Sequence, residues 1–219
     1  MDKNHSEYIP ALRYDWLTPL YDPLLRWVMR EYTFKRRLVE QAQIKGGHRV
    51  LDLGCGTATL TILIKQAHPE SEVVGLDGDL RVLEIAMAKT TKAGVDITLD
   101  HGMASQLPYP DDSFDRVLSS LVLHHLTTDN KHRALREAFR VLRSGGELHV
   151  ADLGKPHNSS MYLVSLVMRR LEETSDNIKG LLPEMFRSAG FDRVEESARY
   201  ITVFGTLSLY RARKGEGIS

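Results

Sequence analysis

Apolar residues along this chain switch between two periods, and the switching predicts the architecture. Arg49–Leu53 and Phe114–Leu121 are short apolar-rich runs, the pattern of strands buried on both faces. Glu72–Leu76 and Glu147–Ala151 read the same way, and Ile97–Asp100 is a shorter extended piece. Helical spacing fills the intervals at Thr57–Ala67 and Asp79–Lys92. A third helix, opened by Asp129 as its cap, carries Ala134, Leu135, Ala138, Val141 and Leu142 on one stripe, and Ser144-Gly145-Gly146 ends it. Such alternation predicts a parallel sheet with helices on both faces.

The two ends differ from this middle. Residues 8–45 are helical and rich in aromatics, cut by Pro10, Pro19 and Pro23 and separated from the first strand by Gly46-Gly47. Toward the C-terminus, 159–171 is apolar and helical, and Pro183–Ala189 is a further helix closed by Gly190. Val194–Val203 and Thr206–Arg213 then form two strands turning at Phe204-Gly205, an antiparallel hairpin suited to a sheet edge. Residues 1–7 and 214–219 are polar and predicted to fray.

Composition narrows the class. Lys plus Arg and Asp plus Glu stand at 29 each in 219 residues, so no global field points to nucleic acid. One cysteine excludes an intrachain disulfide framework. The opening Met-Asp-Lys-Asn-His-Ser-Glu has no apolar core behind it, and no run approaches membrane-spanning length, so a cytoplasmic protein is expected.

Chemistry concentrates at Val50–Leu60, where an apolar strand breaks into Gly54-x-Gly56 before a helix begins. Glycines admit close backbone approach, and a helix start offers unpaired N–H donors. A dinucleotide site wants a third glycine, but Thr59 stands there, and Asp52 would set a negative charge near a pyrophosphate. A ligand carrying a cationic amine and a sulfonium fits better.

Val50-Leu-Asp-Leu-Gly-Cys-Gly-Thr57 resembles motif I of the class I S-adenosylmethionine-dependent methyltransferases. Val73-Val-Gly-Leu-Asp77, Leu107-Pro-Tyr-Pro-Asp-Asp-Ser-Phe-Asp115 and Arg140-Val-Leu-Arg-Ser-Gly-Gly-Glu147 match that family's later motifs in order, and the likeness spans roughly residues 45 to 213. The nearest flavour is the small-molecule group that includes quinone-biosynthesis C-methyltransferases and natural-product O-methyltransferases. The resemblance implies S-adenosyl-L-methionine as cofactor, with Gly54, Cys55, Gly56, Thr57, Gly78 and Leu121 lining it and Asp77 on the ribose hydroxyls. Asp52 either orients the methionine amine or braces the loop through backbone N–H groups. Cys55 reads as a small loop residue and not as a nucleophile. Where the family carries Gly-Asp-Ala, this chain has Gly102-Met103-Ala104. Met103 would pack on the adenine, and the Ala104 N–H would reach the ring. Tyr14-Asp15 and Tyr21-Asp22 match a segment that folds over the cofactor, so Tyr14 and Tyr21 either shield the methyl donor or fill the N-terminal region's own core.

For catalysis, Leu121-Val-Leu-His124-His125 follows the fourth strand, where acceptors bind in open parallel sheets. The segment resembles one in sugar O-methyltransferases, implying a dyad of His124 with Asp152 at the end of the fifth strand. Either histidine could instead pack or cap a helix. A metal trio of His125, Asp129 and His132 would need one continuous helix, whereas Thr127-Thr128-Asp129 looks like a helix start, so no metal is expected.

Together these features predict a Rossmann-like α/β fold. Its mostly parallel seven-stranded sheet would carry a C-terminal antiparallel hairpin, with residues 1–45 as a helical cap on a domain of 46–219. The expected function is methyl transfer to oxygen, nitrogen or carbon of a small, partly apolar acceptor, with 161–168 and the cap lining its side, though the composition of 161–168 suits a core helix equally. Two other classes stay open. Trp16 to Val28 followed by Lys35-Arg36-Arg37 suggests a membrane-surface phospholipid-type enzyme, and Met103 suggests a non-catalytic binding protein.

Overall fold

Arg49–Leu53 (β1) lies inside a seven-stranded sheet in a computed structural model that describes residues 31–156, 174–202 and 205–216. Glu72–Asp77 (β2) and Phe114–Ser120 (β4) flank it, both parallel. Thr98–His101 (β3) extends the β2 side and Leu142–Leu153 (β5) the β4 side, again in parallel. Asp192–Thr202 (β6) and Gly205–Arg213 (β7) form the antiparallel hairpin, with β7 seated against β5. The order is therefore β3-β2-β1-β4-β5-β7-β6. The chain builds outward from β1 in one direction, then returns to β1's other edge with β4. That reversal opens a crevice beyond the C-terminal ends of β1 and β4.

Period-2 alternation assigns the two faces of the sheet. Val50 points to the face covered by Glu31–Ala42 (α1) and Thr59–Ala67 (α2), where Phe34, Leu38, Val39, Leu60 and Ile64 pack with Leu118, Leu207 and Leu209. Leu51 and Leu53 point to the opposite face. There Leu135, Ala138 and Val141 of Thr128–Val141 (α4) meet Leu182, Met185 and Phe186 of Leu182–Ser188 (α6). Leu80–Ala93 (α3) connects β2 to β3 and is capped by Asp79, whose carboxylate accepts from the Arg81 and Val82 N–H groups.

Two motifs read from the sequence form one clasp here. Arg140 on α4 donates to the Leu107 and Tyr109 carbonyls at 3.1 and 2.8 Å, and Glu137 accepts the Leu107 N–H at 2.7 Å. The pair ties the segment before β4 to the helix after it.

Several expectations are corrected. α2 begins at Thr59 and not Thr57, because Gly54, Gly56 and Ala58 all hold positive φ and the turn continues through them. Thr127, not Asp129, caps α4: its hydroxyl accepts the Asn130 N–H, three residues on. Ser144-Gly145-Gly146 does not end that helix, which stops at Val141 and passes directly into β5. Those glycines bulge out of the β4–β5 register and pair with Lys214, so residue 214 is tied down and not frayed. A short helix, Ser175–Lys179 (α5), was not predicted: it buries Asp176 and Asn177 in place of an apolar stripe. Of the basic run proposed for a membrane surface, Lys35 is buried against Glu31, and Arg36 and Arg37 pair with Glu40. Tyr14, Tyr21, the Trp16–Val28 segment and 159–171 lie outside the described residues.

The cap assignment for α4 is open to measurement. Thr127→Ala is expected to lower unfolding free energy by about 1 kcal/mol in urea titration, while Asp129→Ala costs less than half as much. Equal losses would contradict the assignment.

Candidate active site

Beyond β1 the chain makes a tight cradle. The Gly54 and Cys55 N–H groups both donate to the Leu76 carbonyl, at 2.8 and 2.9 Å, pinning the loop to the end of β2. Positive φ runs through Gly54 (72°), Gly56 (54°) and Ala58 (60°). A side chain on Gly54 would collide with Val122, 2.4 Å from its Cγ2, whereas one on Gly56 would meet nothing within 4 Å. The loop is thus closed on the Gly54 side and presents bare backbone at Gly56. Cys55 is buried beside Gly75, and burial raises its thiol pKa well above the ordinary range, so it stays protonated.

Asp77 ends β2 facing this loop. Its carboxylate accepts the Gly56 N–H at 2.8 Å and the Asp79 N–H at 3.0 Å, one on each oxygen. Burial pushes its pKa up, and those two N–H groups oppose the shift. Each oxygen keeps a further lone pair, so the geometry leaves room for a vicinal diol. The Gly102 N–H donates to the Asp77 carbonyl at 3.0 Å, which brings Met103 and Ala104 to the same edge as Gly78. Met103 and Leu80 are large apolar side chains left exposed there.

Asp52 sits on the β1 face that carries α1 and α2, fully buried. Thr61 on α2 donates its hydroxyl to Oδ2 at 2.7 Å, so the carboxylate braces the helix and not the loop's backbone. Its Oδ1 has no hydrogen-bond partner among the described residues. Burial raises the pKa to about 6, with the Thr61 bond and the nearby Lys35 charge opposing the rise.

Across the crevice, β4 ends at a left-handed Leu121 (φ 61°), whose N–H donates to the Ala151 carbonyl at 2.8 Å. The chain then turns through Leu123–His125, a short 3-10 segment, and places Val122 over Gly54. His124 Nδ1 lies 2.8 Å from Asp152 Oδ1 at the end of β5. Burial opposes the Asp152 charge, but His124 and the Leu153 N–H outweigh it and hold the carboxyl below its usual range. An ionised carboxylate at Nδ1 fixes the tautomer: the proton resides there and the basic lone pair on Nε2. The His125 ring lies against that of His124 with centroids 4.0 Å apart, and burial, the larger cause, together with His124 beside it lowers its pKa to about 3, so it is neutral. It belongs to the 3-10 turn, whereas Asp129 and His132 belong to α4.

Three residues at the site were not singled out from the sequence. Thr61 interrupts an otherwise apolar helix, and that was a usable signal. Lys89 reaches from α3 to the Thr57 and Thr59 hydroxyls at 3.1 and 2.6 Å, a contact between separate helices that no local pattern shows. Asn177 donates to Asp152 Oδ1 at 3.0 Å from a part of the chain without recognisable spacing.

Several known proteins resemble this chain in sequence or in fold. Residues 50–146 match the methyltransferase domain family. The chain is 30% identical over 220 residues to a demethylmenaquinone methyltransferase of Listeria monocytogenes serotype 4a, covering 89% of this chain and 90% of that one. A demethylmenaquinone methyltransferase of Thermus thermophilus is 35% identical over 161 residues, 73% of this chain and 68% of its own. In fold it is similar to a phosphoethanolamine N-methyltransferase of Haemonchus contortus solved with S-adenosyl-L-methionine. That match has a TM-score of 0.70 at 17% identity, covering 84% of this chain and 53% of that one. This chain belongs to the class I S-adenosylmethionine-dependent methyltransferases, enzymes that transfer methyl groups.

Asp52 supplies a pH test. Because its folded pKa (about 6) exceeds the ordinary 3.8, the folded protein binds more protons between those values. Stability therefore falls as pH rises through that window and levels off above it. Asp52→Asn is expected to relieve up to about 3 kcal/mol at pH 8 and almost nothing near pH 4. Denaturant titration at both values checks this, and a difference independent of pH would contradict it.

Proposed function

We propose that this enzyme methylates a small quinone-type ring in its reduced, hydroxyl-bearing form, with S-adenosylmethionine as donor and His124 as general base. The observation that carries the reading is the His124–Asp152 pair at 2.8 Å, in the same turn whose Val122 packs on Gly54. Base and donor cradle thus share one crevice. The ring class comes from the demethylmenaquinone methyltransferases that the chain resembles over most of its length.

The residues present fit the donor. Asp52 Oδ1, buried without a partner among the described residues, suits a cationic amine. Bare backbone at Gly56, with Gly54, Cys55 and Thr57, suits a chain lying along the loop. Asp77 would take the ribose hydroxyls, and Gly78, Met103, Ala104 and Leu121 would border the base and sulfur ends. When bound, S-adenosylmethionine supplies a methyl group on a cationic sulfur.

His124 takes the proton of the ring hydroxyl at Nε2, and Asp152 stabilises the resulting imidazolium through Nδ1. The deprotonated ring is electron-rich at the carbon beside its oxygen; that carbon would take the methyl as the methyl–sulfur bond breaks to leave S-adenosylhomocysteine, and would then lose its own proton to restore the aromatic ring. Orientation within the crevice supplies much of the remaining acceleration. No helix among the described residues is long and apolar enough to cross a membrane.

The decisive experiment is an acceptor screen read by S-adenosylhomocysteine production, comparing reduced naphthoquinols lacking the ring methyl with catechols and amines. Turnover confined to amines would overturn the reading. His124→Ala is expected to cut turnover by about 10²–10⁴ while calorimetric affinity for S-adenosylhomocysteine stays within about twofold. Asp77→Ala is expected to do the reverse at the binding step, weakening that affinity by about tenfold or more.

A further inference from the structure

We propose that Asn177, on the short helix α5 and beyond the 50–146 span that matches the family, is the positioning residue of the His124–Asp152 pair; this rests on His124 acting as the general base. Asp152 is fully buried and receives five donors. The Val122 and Leu123 N–H groups reach Oδ2 at 3.1 and 2.8 Å. On Oδ1 converge His124 Nδ1 at 2.8 Å, the Leu153 N–H at 2.7 Å and Asn177 Nδ2 at 3.0 Å. Three of these five are backbone, so among the described residues Asn177 is the one side chain besides His124 that donates to this carboxylate. It bonds the very oxygen that holds the imidazole, and the two donors share its electron density.

The amide's orientation is determined. Nδ2 also donates to the Leu153 carbonyl at 3.1 Å, so both its partners are acceptors, and a flipped amide would set oxygen against oxygen. The adjacent Asp176 grips a different element: it accepts the Thr128 hydroxyl at 2.7 Å and the buried Lys131 ammonium at 3.1 Å, both on α4. Two consecutive polar residues thus tie α5 to the start of α4 and to the end of β5, on either side of the His124 turn.

Stability alone is a poor reason for this side chain. Asn177 is fully buried, and its Oδ1 has no partner among the described residues. The unmet acceptor offsets part of what the two donated bonds contribute to folding. What it provides is a fixed donor that sets where the Asp152 charge lies and how strongly it holds the His124 proton. Other titratable groups around the pair are His125 on the same turn, Lys131 of α4, Asp176 of α5 and Tyr210 of β7. All of them are left in place by changes at 177.

The test uses Asn177→Leu and Asn177→Asp in the full chain, with Asn177→Ser as a smaller change that keeps the proposal testable where either of the others fails to fold. Removing the amide donor leaves more uncompensated charge on Oδ1, which favours the imidazolium. The NMR titration midpoint of His124 in the free protein is expected to rise by about one pH unit in Asn177→Leu, and further in Asn177→Asp. The acid limb of kcat/KM is expected to move up in parallel, kcat near neutral pH to fall about tenfold, and S-adenosylhomocysteine affinity to stay within about twofold. A merely structural residue would lower thermal stability and total activity without moving either midpoint. Unmoved midpoints in folded variants, with turnover still dependent on His124, would overturn the proposal alone. Normal turnover in His124→Ala would overturn the general-base reading and this proposal with it.

Discussion

Val122 occupies the space where a side chain at position 54 would stand, and the rest of the site depends on that contact. The turn after β1 and the turn after β4 meet at the reversal of strand order, and only a bare Cα lets them close. Once closed, the Gly54 loop is pinned to β2 through Leu76, and the β4 turn is pinned to β5 through Ala151 and Asp152. A single steric allowance therefore brings the donor cradle and the histidine pair to one crevice. Were the turns spread by even one methyl group, each half would keep its local geometry and lose its register with the other.

Three aspartates at strand ends show how environment divides roles among identical side chains. Asp52 is buried with a hydroxyl on one oxygen and nothing among the described residues on the other, and its pKa rises to about 6. Asp77, less buried, takes one backbone N–H on each oxygen and stays only partly compensated. Asp152, as buried as Asp52, takes five donors and is held below the usual range. On the proposed function the first two would gain from a ligand's cation or hydroxyls, whereas the third is satisfied by donors among the described residues. That separation is what a site needs when it binds a charged donor at one end and manages a proton at the other.

How much of this was legible in the sequence follows from how local each determinant is. The strands were plain because burial on both faces leaves unbroken apolar runs such as Val50-Leu51, Val73-Val74 and Val117-Leu118. The glycine loop and Asp77 were readable because spacing alone fixes them. The start of α4 was misread by two residues, since Thr127, Thr128 and Asp129 are all good caps and only the Asn130 N–H shows which one is used. Ser144-Gly145-Gly146 looked like a helix stop because glycine pairs usually are. Here the C-terminal tail at Lys214 pairs with them and turns them into a bulge. Asn177 and Lys89 left no trace at all, because each acts across a sequence distance that no periodicity reports.

This locality also bears on how the family varies. The proposed donor half is written almost contiguously: β1, its loop, the end of β2 and the segment after β3 span residues 49–104, and the hydrogen bonds that shape the glycine loop and Asp77 lie among them. The half proposed as catalytic draws on the 121–126 turn, the end of β5 and α5, held by Asp152, Asp176 and Asn177 across dozens of residues. A substitution in the first half breaks a recognisable motif and the cofactor site together. A substitution in the second can retune the base or reshape the acceptor's surroundings while the cradle stays intact. One fold can therefore keep its donor and change its acceptor, because the two halves share a contact at Gly54 but little of their sequence.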